Sequence, residues 1–328
     1  MEPKKTGLSR QATGDGKVDV SAVLVNYRSA LETVEAVETL LETAGDLSVQ
    51  VLVVENQSGG EEVDLLRKRL PEGAELLESP RNLGFAGGIE LAVPRARGRF
   101  LLLLNPDARL QPGALGLLVE FLEEREDAGV VGPLLLEPDG SLQASGRKLP
   151  SPGLLLGMEV GLCGLHEKIP DPPAPFPAGW VVGACMLIRK KAYDQVGGMD
   201  PAYFLYFEET DLCRRMQAAG WGVWCHPMAR CVHDHGTSAE RSGQDIQGGD
   251  ITRFYFPSRR RYLSKFHGKA GAFAVEALLF ALVLLKWGKA LVFGVWSPRA
   301  RARTRILKEK ARAFWALWTG KFAREQAD

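Results

Sequence analysis

The chain has 328 residues, 45% of them apolar and 25% charged, with a formal net charge of +1. This is ordinary globular composition, enough for one large α/β domain with or without an appendage. It excludes wholesale disorder and a whole-chain attraction to nucleic acid, although the C-terminal end is basic. The five cysteines (Cys163, Cys185, Cys213, Cys225 and Cys231) are odd in number and sit in apolar surroundings, which suits a reducing compartment, the cytoplasm.

Residues 1–17 carry Lys4, Lys5 and Arg10 but no apolar stretch of signal-peptide length, and read as a loose tail. Val18–Val25 is a predicted strand that runs into Asn26-Tyr27-Arg28-Ser29. From Ala30 the pattern turns helical, with Leu31, Val34, Val37, Leu40 and Leu41 on one face and Glu32, Glu35, Glu38 and Glu42 on the other. Val49–Val54 is the next strand, ending in Glu55-Asn56-Gln57-Ser58-Gly59. A helix over Glu61–Leu70 and a short strand at Glu75–Glu78 follow. Such alternation predicts right-handed βαβ crossovers and a mainly parallel sheet.

Arg81–Glu90, RNLGFAGGIE, is glycine-rich and precedes a predicted helix through Arg97. Its glycines could admit a phosphate or ribose, yet it is neither a P-loop nor a Rossmann fingerprint. Leu101–Asp107, LLLLNPD, reads as a strand buried on both faces that delivers Asp107, with Asn105 beside it, to the carboxyl end of the sheet where ligands bind. Asp107 there suits a divalent metal on a phosphate substrate; ordinary Asn-Pro-Asp turn chemistry is the plainer alternative.

A helix over Pro112–Glu126, a strand over Gly129–Leu136 and a turn at Pro138–Ser141 come next, then a proline-rich loop or lid over Lys148–Pro177. Trp180–Ile188 is read as one strand, followed by a helix from Lys190 to Val196. In Tyr203–Ala219 aromatic residues precede Glu208 and Glu209, and Thr210-Asp211 opens an amphipathic helix. Carboxylates could simply cap it, but packing against rings raises a carboxyl pKa towards the range of a general base. Two short strands, Gly222–Cys225 and Arg230–Val232, flank Pro227 and lead to His233-Asp234-His235, a metal or phosphate candidate. Cys225, His226 and Cys231 match no familiar zinc spacing.

After Asp250, Arg253, Arg259, Arg260, Arg261 and Lys265 alternate with aromatics. Ala270–Leu285 is apolar except for Glu276, and Trp287, Trp296, Trp315 and Trp318 stand among further basic residues. A 16-residue apolar run is shorter than the roughly 20 residues needed to span hydrocarbon, so interfacial or re-entrant helices on an anionic membrane are expected, or a helical hairpin packed internally.

Together VSAVLVNYRS, VVENQS, NLGFAGG, GRFLLLLNPDA, VVGACMLIRKKAYDQVGGMD and YFLYFEETDLCRRMQAAGW resemble, over residues 18–240 and in the same order, the family 2 inverting glycosyltransferases, specifically their rhamnosyltransferase-like branch. The resemblance implies a GT-A fold, a Rossmann-like mainly parallel sheet with flanking helices, over residues 18–250, with membrane-associating helices over 251–328. It implies that Val25, Asn26 and Tyr27 line the base pocket, that Glu55 and Asn56 hold base or ribose, and that Arg81 and Asn82 place the nucleotide sugar. Asp107 becomes the metal carboxylate, with Asn105 in place of the first acid of the family's DxD and His233 as a further metal or diphosphate ligand. Glu209 becomes the catalytic base and Glu208 its neighbour. Glu55 and Glu209 stand where relatives carry Asp, and Glu90 where Asn is common.

The implied activity is metal-dependent (Mg²⁺ or Mn²⁺) transfer of a hexose, rhamnose above all, from a dTDP-, UDP- or GDP-sugar to a lipid-linked or glycan acceptor. It would take place at the inner face of the cell membrane, without nucleic acid and with homo-oligomerisation left open. The alternatives are a degenerate member acting as a membrane scaffold or sugar-binding protein, and a sugar-phosphate nucleotidyltransferase, whose basic Gly-rich loop the first strand lacks.

Overall fold

The computed structural model describes residues 17–143, 145–171, 173–234 and 250–293, together with 307, 308, 311, 312 and 315. The N-terminal tail, His235 and the tryptophans at 296 and 318 lie outside them. The described residues fall into two units: 17–148, 166–204 and 208–234 form the first, and 149–165, 205–207 and the C-terminal helical region the second.

In the first unit the chain alternates as expected: β1 (Val20–Asn26), α1 (Ala30–Thr43), β2 (Val49–Glu55), α2 (Gly60–Arg69), β3 (Glu75–Glu78), α3 (Gly84–Ala92) and β4 (Phe100–Leu104). Every residue of β1, β2 and β4 is buried, as continuous apolar runs require when helices cover both faces. On one face Val34, Val37 and Leu40 of α1 cluster with Ala22, Leu24, Leu102 and Leu104. On the other, α3 comes so near β1 that a Cβ on Gly88 would lie 2.8 Å from Val25 Cγ1.

The chain continues through β5 (Ala108–Leu110), α4 (Ala114–Glu124), β6 (Ala128–Leu136), β7 (Gly146–Arg147), β8 (Phe176–Pro177), β9 (Trp180–Val181), β10 (Cys185–Arg189), α6 (Lys190–Gln195), α7 (Glu208–Ala218) and β11 (Gly222–His233). The main sheet runs β3-β2-β1-β4-β10-β6-β11-β5. Its parallel pairs are β3–β2, β2–β1, β1–β4 and β6–β11, while β10 is antiparallel to both of its neighbours.

Several boundaries differ from the sequence reading. The glycines of RNLGFAGGIE do not precede a helix but start one, with Gly84 at φ +70°. Trp180–Ile188 is not one strand. It divides at Val182–Ala184, where Val182 N–H bonds to Ser145 and Ala184 C=O accepts from Asn105, carrying the chain from the small β7–β9 sheet to β4. The two strands around Pro227 are one, β11, with an irregularity between His226 and Arg230 that absorbs the proline.

In the second unit the proline-rich stretch carries a helix, α5 (Pro152–Val160), whose first turn is capped by Ser151 Oγ accepting from Leu154 N–H at 3.2 Å. The apolar run belongs to a longer helix, α8 (Asp250–Phe293), broken at Gly268 (φ +75°, ψ 156°). Arg259, before the break, makes a bidentate pair with Glu276, after it (2.9 and 2.7 Å), and both are buried. In a straight helix 17 residues span about 25 Å, so the two arms fold back on each other as a hairpin.

Candidate active site

β4 ends at Leu104, and Asn105-Pro106-Asp107 turns the chain into β5, which pairs with the end of β11 in the register Ala108 to His233. That pairing sets Asp107 against His233, with Oδ1 3.4 Å from Nε2 and both side chains nearly buried. Arg109 fastens the turn to α1, donating to the carbonyls of Pro106 and Glu32 and to Glu35.

Gln143, unremarked in the sequence, fixes the histidine. Its Nε2 donates to the His233 carbonyl at 2.5 Å, so its Oε1 faces His233 Nδ1 at 3.0 Å and accepts Nδ1–H. In the neutral imidazole Nε2 therefore presents a lone pair towards Asp107, whose Oδ1 makes no hydrogen bond. Two lone pairs facing each other in a buried setting are relieved by a cation, and one carboxylate oxygen plus one imidazole nitrogen are donors that could hold Mg²⁺ or Mn²⁺. Among the described residues no group of three or more His, Cys, Asp or Glu side chains is placed to hold a metal, so Cys225, His226 and Cys231 form no zinc site.

Glu208 and Glu209 open α7, two residues earlier than the sequence suggested. Glu208 is buried, with Oε2 unpartnered; burial pushes its carboxyl well above the usual range and the neighbouring Glu209 charge pushes it further. Burial also raises Glu209. Its own backbone N–H, those of Thr210 and Gly183, and the charge of Arg147 oppose that rise by favouring the carboxylate. Of two neighbouring carboxyls the one with more support for its charge ionises first, and here that support is on Glu209. Glu209 lies over Gly183, whose absent Cβ would stand 3.6 Å from Glu209 Cβ. Tyr206 and Phe207, just before α7, both adopt left-handed backbone (φ +68° and +70°), which costs a bulky residue about 1–3 kcal/mol.

The residues expected around the nucleotide gather at the carboxyl ends of β1 and β2. Val25 and Asn26 end β1, and Asn26 is fully buried, accepting from Thr33 Oγ1 (2.9 Å) and donating to Ser58 (3.2 Å). Tyr27 lies under the Arg28 guanidinium, 5.2 Å away. Glu55 accepts the amides of Gln57 and Ser58 and so shapes its own loop. Asn56 accepts from Leu83 N–H and donates to Asn82 and the Gly84 carbonyl, which ties the Arg81-Asn82 loop to β2. Gln57 adds two bonds to the same loop, at Asn82 and Pro80. Glu90 accepts from Tyr193 Oη and Met199 N–H, a role in holding α3 to the turn after α6. A separate open hollow of about 620 Å³, lined by Arg28–Glu32 and Ser58–Glu62, contains neither Asp107 nor Glu209.

The family model described as "Glycosyl transferase family 2" matches residues 21–197, and a second, "Glycosyltransferase like family 2", matches residues 177–246. The N-acetylglucosaminyl-diphospho-decaprenol L-rhamnosyltransferase of Mycobacterium tuberculosis is 30% identical over 222 residues, 61% of this chain and 71% of that protein. Among solved structures, the mannosyltransferase PcManGT of Pyrobaculum calidifontis, in complex with GDP-Man and Mn²⁺, is similar with a TM-score of 0.52 at 16% identity, covering 96% of this chain and 91% of that one. GalNAc-T7, with UDP, GalNAc and Mn²⁺, is similar with a TM-score of 0.55 at 13% identity, covering 78% of this chain and about half (52%) of its own length. These likenesses show the GT-A fold expected from the sequence.

Proposed function

Because the chain belongs to glycosyltransferase family 2 and is a hexosyltransferase, we propose that it transfers rhamnose from a nucleoside-diphosphate sugar, with inversion, to a hydroxyl of a lipid-linked saccharide in cell-surface polysaccharide synthesis. The observation that carries this is the buried, unpartnered Asp107 Oδ1 facing the oriented His233 Nε2 at the carboxyl end of β4. It supports a site for a cation and the diphosphate that comes with it. The relative named as a rhamnosyltransferase acting on a decaprenol-linked sugar supports the choice of donor and acceptor.

Asp107 and His233 would hold Mg²⁺ or Mn²⁺, whose positive charge would stabilise the leaving diphosphate. The remaining work belongs to the chain's own side chains. Val25 and Tyr27 border the base, the buried Asn26, Glu55 and Asn56 shape the base and ribose wall from behind by holding its loops, and Arg81, Asn82 and Asn105 border the sugar and diphosphate. Glu209 takes the proton of the acceptor hydroxyl as that oxygen attacks the anomeric carbon opposite the departing diphosphate, so the configuration inverts. Burial pushes the Glu208 carboxyl up and so favours its neutral form beside the Glu209 carboxylate. A lipid-linked acceptor places the reaction at the cytoplasmic face of the membrane.

The test is release of nucleoside diphosphate from a panel of dTDP-, UDP- and GDP-sugars, with membrane lipid extract as acceptor and with or without Mn²⁺ or Mg²⁺. Metal-dependent release from dTDP-rhamnose is expected. Release from a different donor would replace rhamnose, and metal-dependent binding without turnover by a complete acceptor set would favour a scaffold in place of an enzyme.

A further inference from the structure

Helix α8 carries an exposed apolar surface made of residues other than those of the candidate active site. Its buried face, Ala272, Val275, Glu276, Leu279 and Val283, is spaced for packing within the hairpin. The opposite face exposes Phe273 (55%), Leu278 (49%), Leu284 (38%) and Leu285 (63%). Lys286 bonds to Glu159 at the end of α5 (2.8 Å), and just beyond it Val160 and Leu162 are exposed as well. Monomeric soluble proteins seldom leave so continuous an apolar face uncovered.

Charge identifies what covers it. Residues 251–328 hold 17 of the 41 Lys and Arg and only four of the 40 Asp and Glu, a net charge of +13 against −12 for residues 1–250. On α8 itself Arg260, Arg261, Lys265 and Lys269 are exposed. An apolar stripe flanked by cations matches an anionic lipid surface. A second copy is a poor match, since two strongly cationic regions repel.

By length and composition alone Phe254–Gly288, whose most apolar 18-residue window has a mean hydropathy of 1.9, could cross a bilayer. The hairpin argues otherwise. The Arg259–Glu276 pair fixes the register of the two arms, so Arg260 and Arg261 stand at the level of Glu276, in the middle of the apolar run. A crossing second arm would carry those exposed guanidiniums into hydrocarbon. We propose that α8 lies in the plane of an anionic membrane, with Phe273, Leu278, Leu284 and Leu285 entering one leaflet and both arms remaining on the same side. The proposal rests on the function above only in that a lipid-linked acceptor brings the enzyme to a bilayer.

The full chain is floated with vesicles of phosphatidylcholine, with and without phosphatidylglycerol. Flotation that requires the anionic lipid and weakens with salt is expected. Leu278→Ser with Leu285→Ser should lower the bound fraction by about tenfold or more, and Arg260→Gln with Arg261→Gln by about fivefold per charge on anionic vesicles alone. Both variants should keep nucleoside diphosphate release in detergent. Unchanged flotation of the double serine variant would overturn the proposal, as would its conversion of a soluble dimer to a monomer, which would make a second copy the occupant. Lys269→Cys in a Cys163→Ser background reports sidedness. Labelling by an impermeant thiol reagent added outside is expected; protection until the vesicles are lysed would mean a crossing helix. Flotation as expected without release from any sugar donor would defeat the proposed function and leave this inference standing.

Discussion

Replacing Gln143 by alanine tests the construction of the Asp107–His233 pair. The substitution removes the Nε2–H donor from the buried His233 carbonyl and the Oε1 acceptor from His233 Nδ1–H. Losing a partner that orients a metal-binding imidazole costs about 10–100-fold in metal affinity. The stranded carbonyl and N–H add about 1–3 kcal/mol each of lost stability unless water replaces the amide. The assay is Mn²⁺ titration followed by electron paramagnetic resonance in the presence of a nucleoside diphosphate, with thermal denaturation in the absence of metal. Gln143→Ala is expected to bind Mn²⁺ at least tenfold more weakly. Gln143→Glu, whose carboxylate still accepts Nδ1–H, is expected to retain most of the affinity while losing stability. A folded Gln143→Ala protein with unaltered Mn²⁺ affinity would refute the reasoning, because His233 would then need no orientation or would not be a ligand.

Glu209→Gln is expected to lower kcat by about 10²–10⁴-fold while leaving the Kd of the donor unchanged in direct binding; an equal loss in donor binding would move Glu209 out of the base role. Burial raises the Glu209 carboxyl, so kcat/KM should fall on acidification through a value above the ordinary 4.5. Arg147 favours the Glu209 carboxylate, and Arg147→Ala should move that acid limb to still higher pH, with Arg147→Lys restoring it; an unmoved limb would show that the charge is not felt. The fold prefers protonated Glu208, so the stability this residue contributes is whole below the unfolded-state value of 4.5 and is lost as pH rises through the higher folded-state value. Glu208→Gln should therefore raise Tm relative to the parent at about pH 8 and change it little at about pH 4. The same offset at both pH values in calorimetry would contradict the assignment.

The sequence carried the parts of this architecture that local pattern encodes. Four leucines between Gly98 and Pro106 could only be a doubly buried strand, and its end placed Asp107 where ligands bind. The antiparallel course of β10 was not readable, because a buried strand shows the same apolar run whichever way its neighbours travel. The division of Trp180–Ile188 depends on hydrogen bonds to Ser145 and Asn105, both distant in the chain. Gln143 lies 90 residues from His233 in an unremarkable loop, so no spacing rule could pair them. Glu276 is different. A lone carboxylate in an apolar helix signals a buried partner, and only the break at Gly268 shows that the partner is Arg259.

The close approach of Gly84 to Phe204 bears on any attempt to change the sugar by exchanging the loop. Asn56 and Gln57 hold residues 81–85 from one side, and Phe85 N–H bonds to the Phe204 carbonyl on the other. A Cβ at position 84 would stand 2.1 Å from that carbonyl oxygen. A transplanted loop bearing any side chain there would push away the chain four residues ahead of Glu208. The 81–85 loop and the approach to the Glu208–Glu209 pair are thus one module for the protein engineer, to be grafted from a relative whole, with the glycine, or left in place.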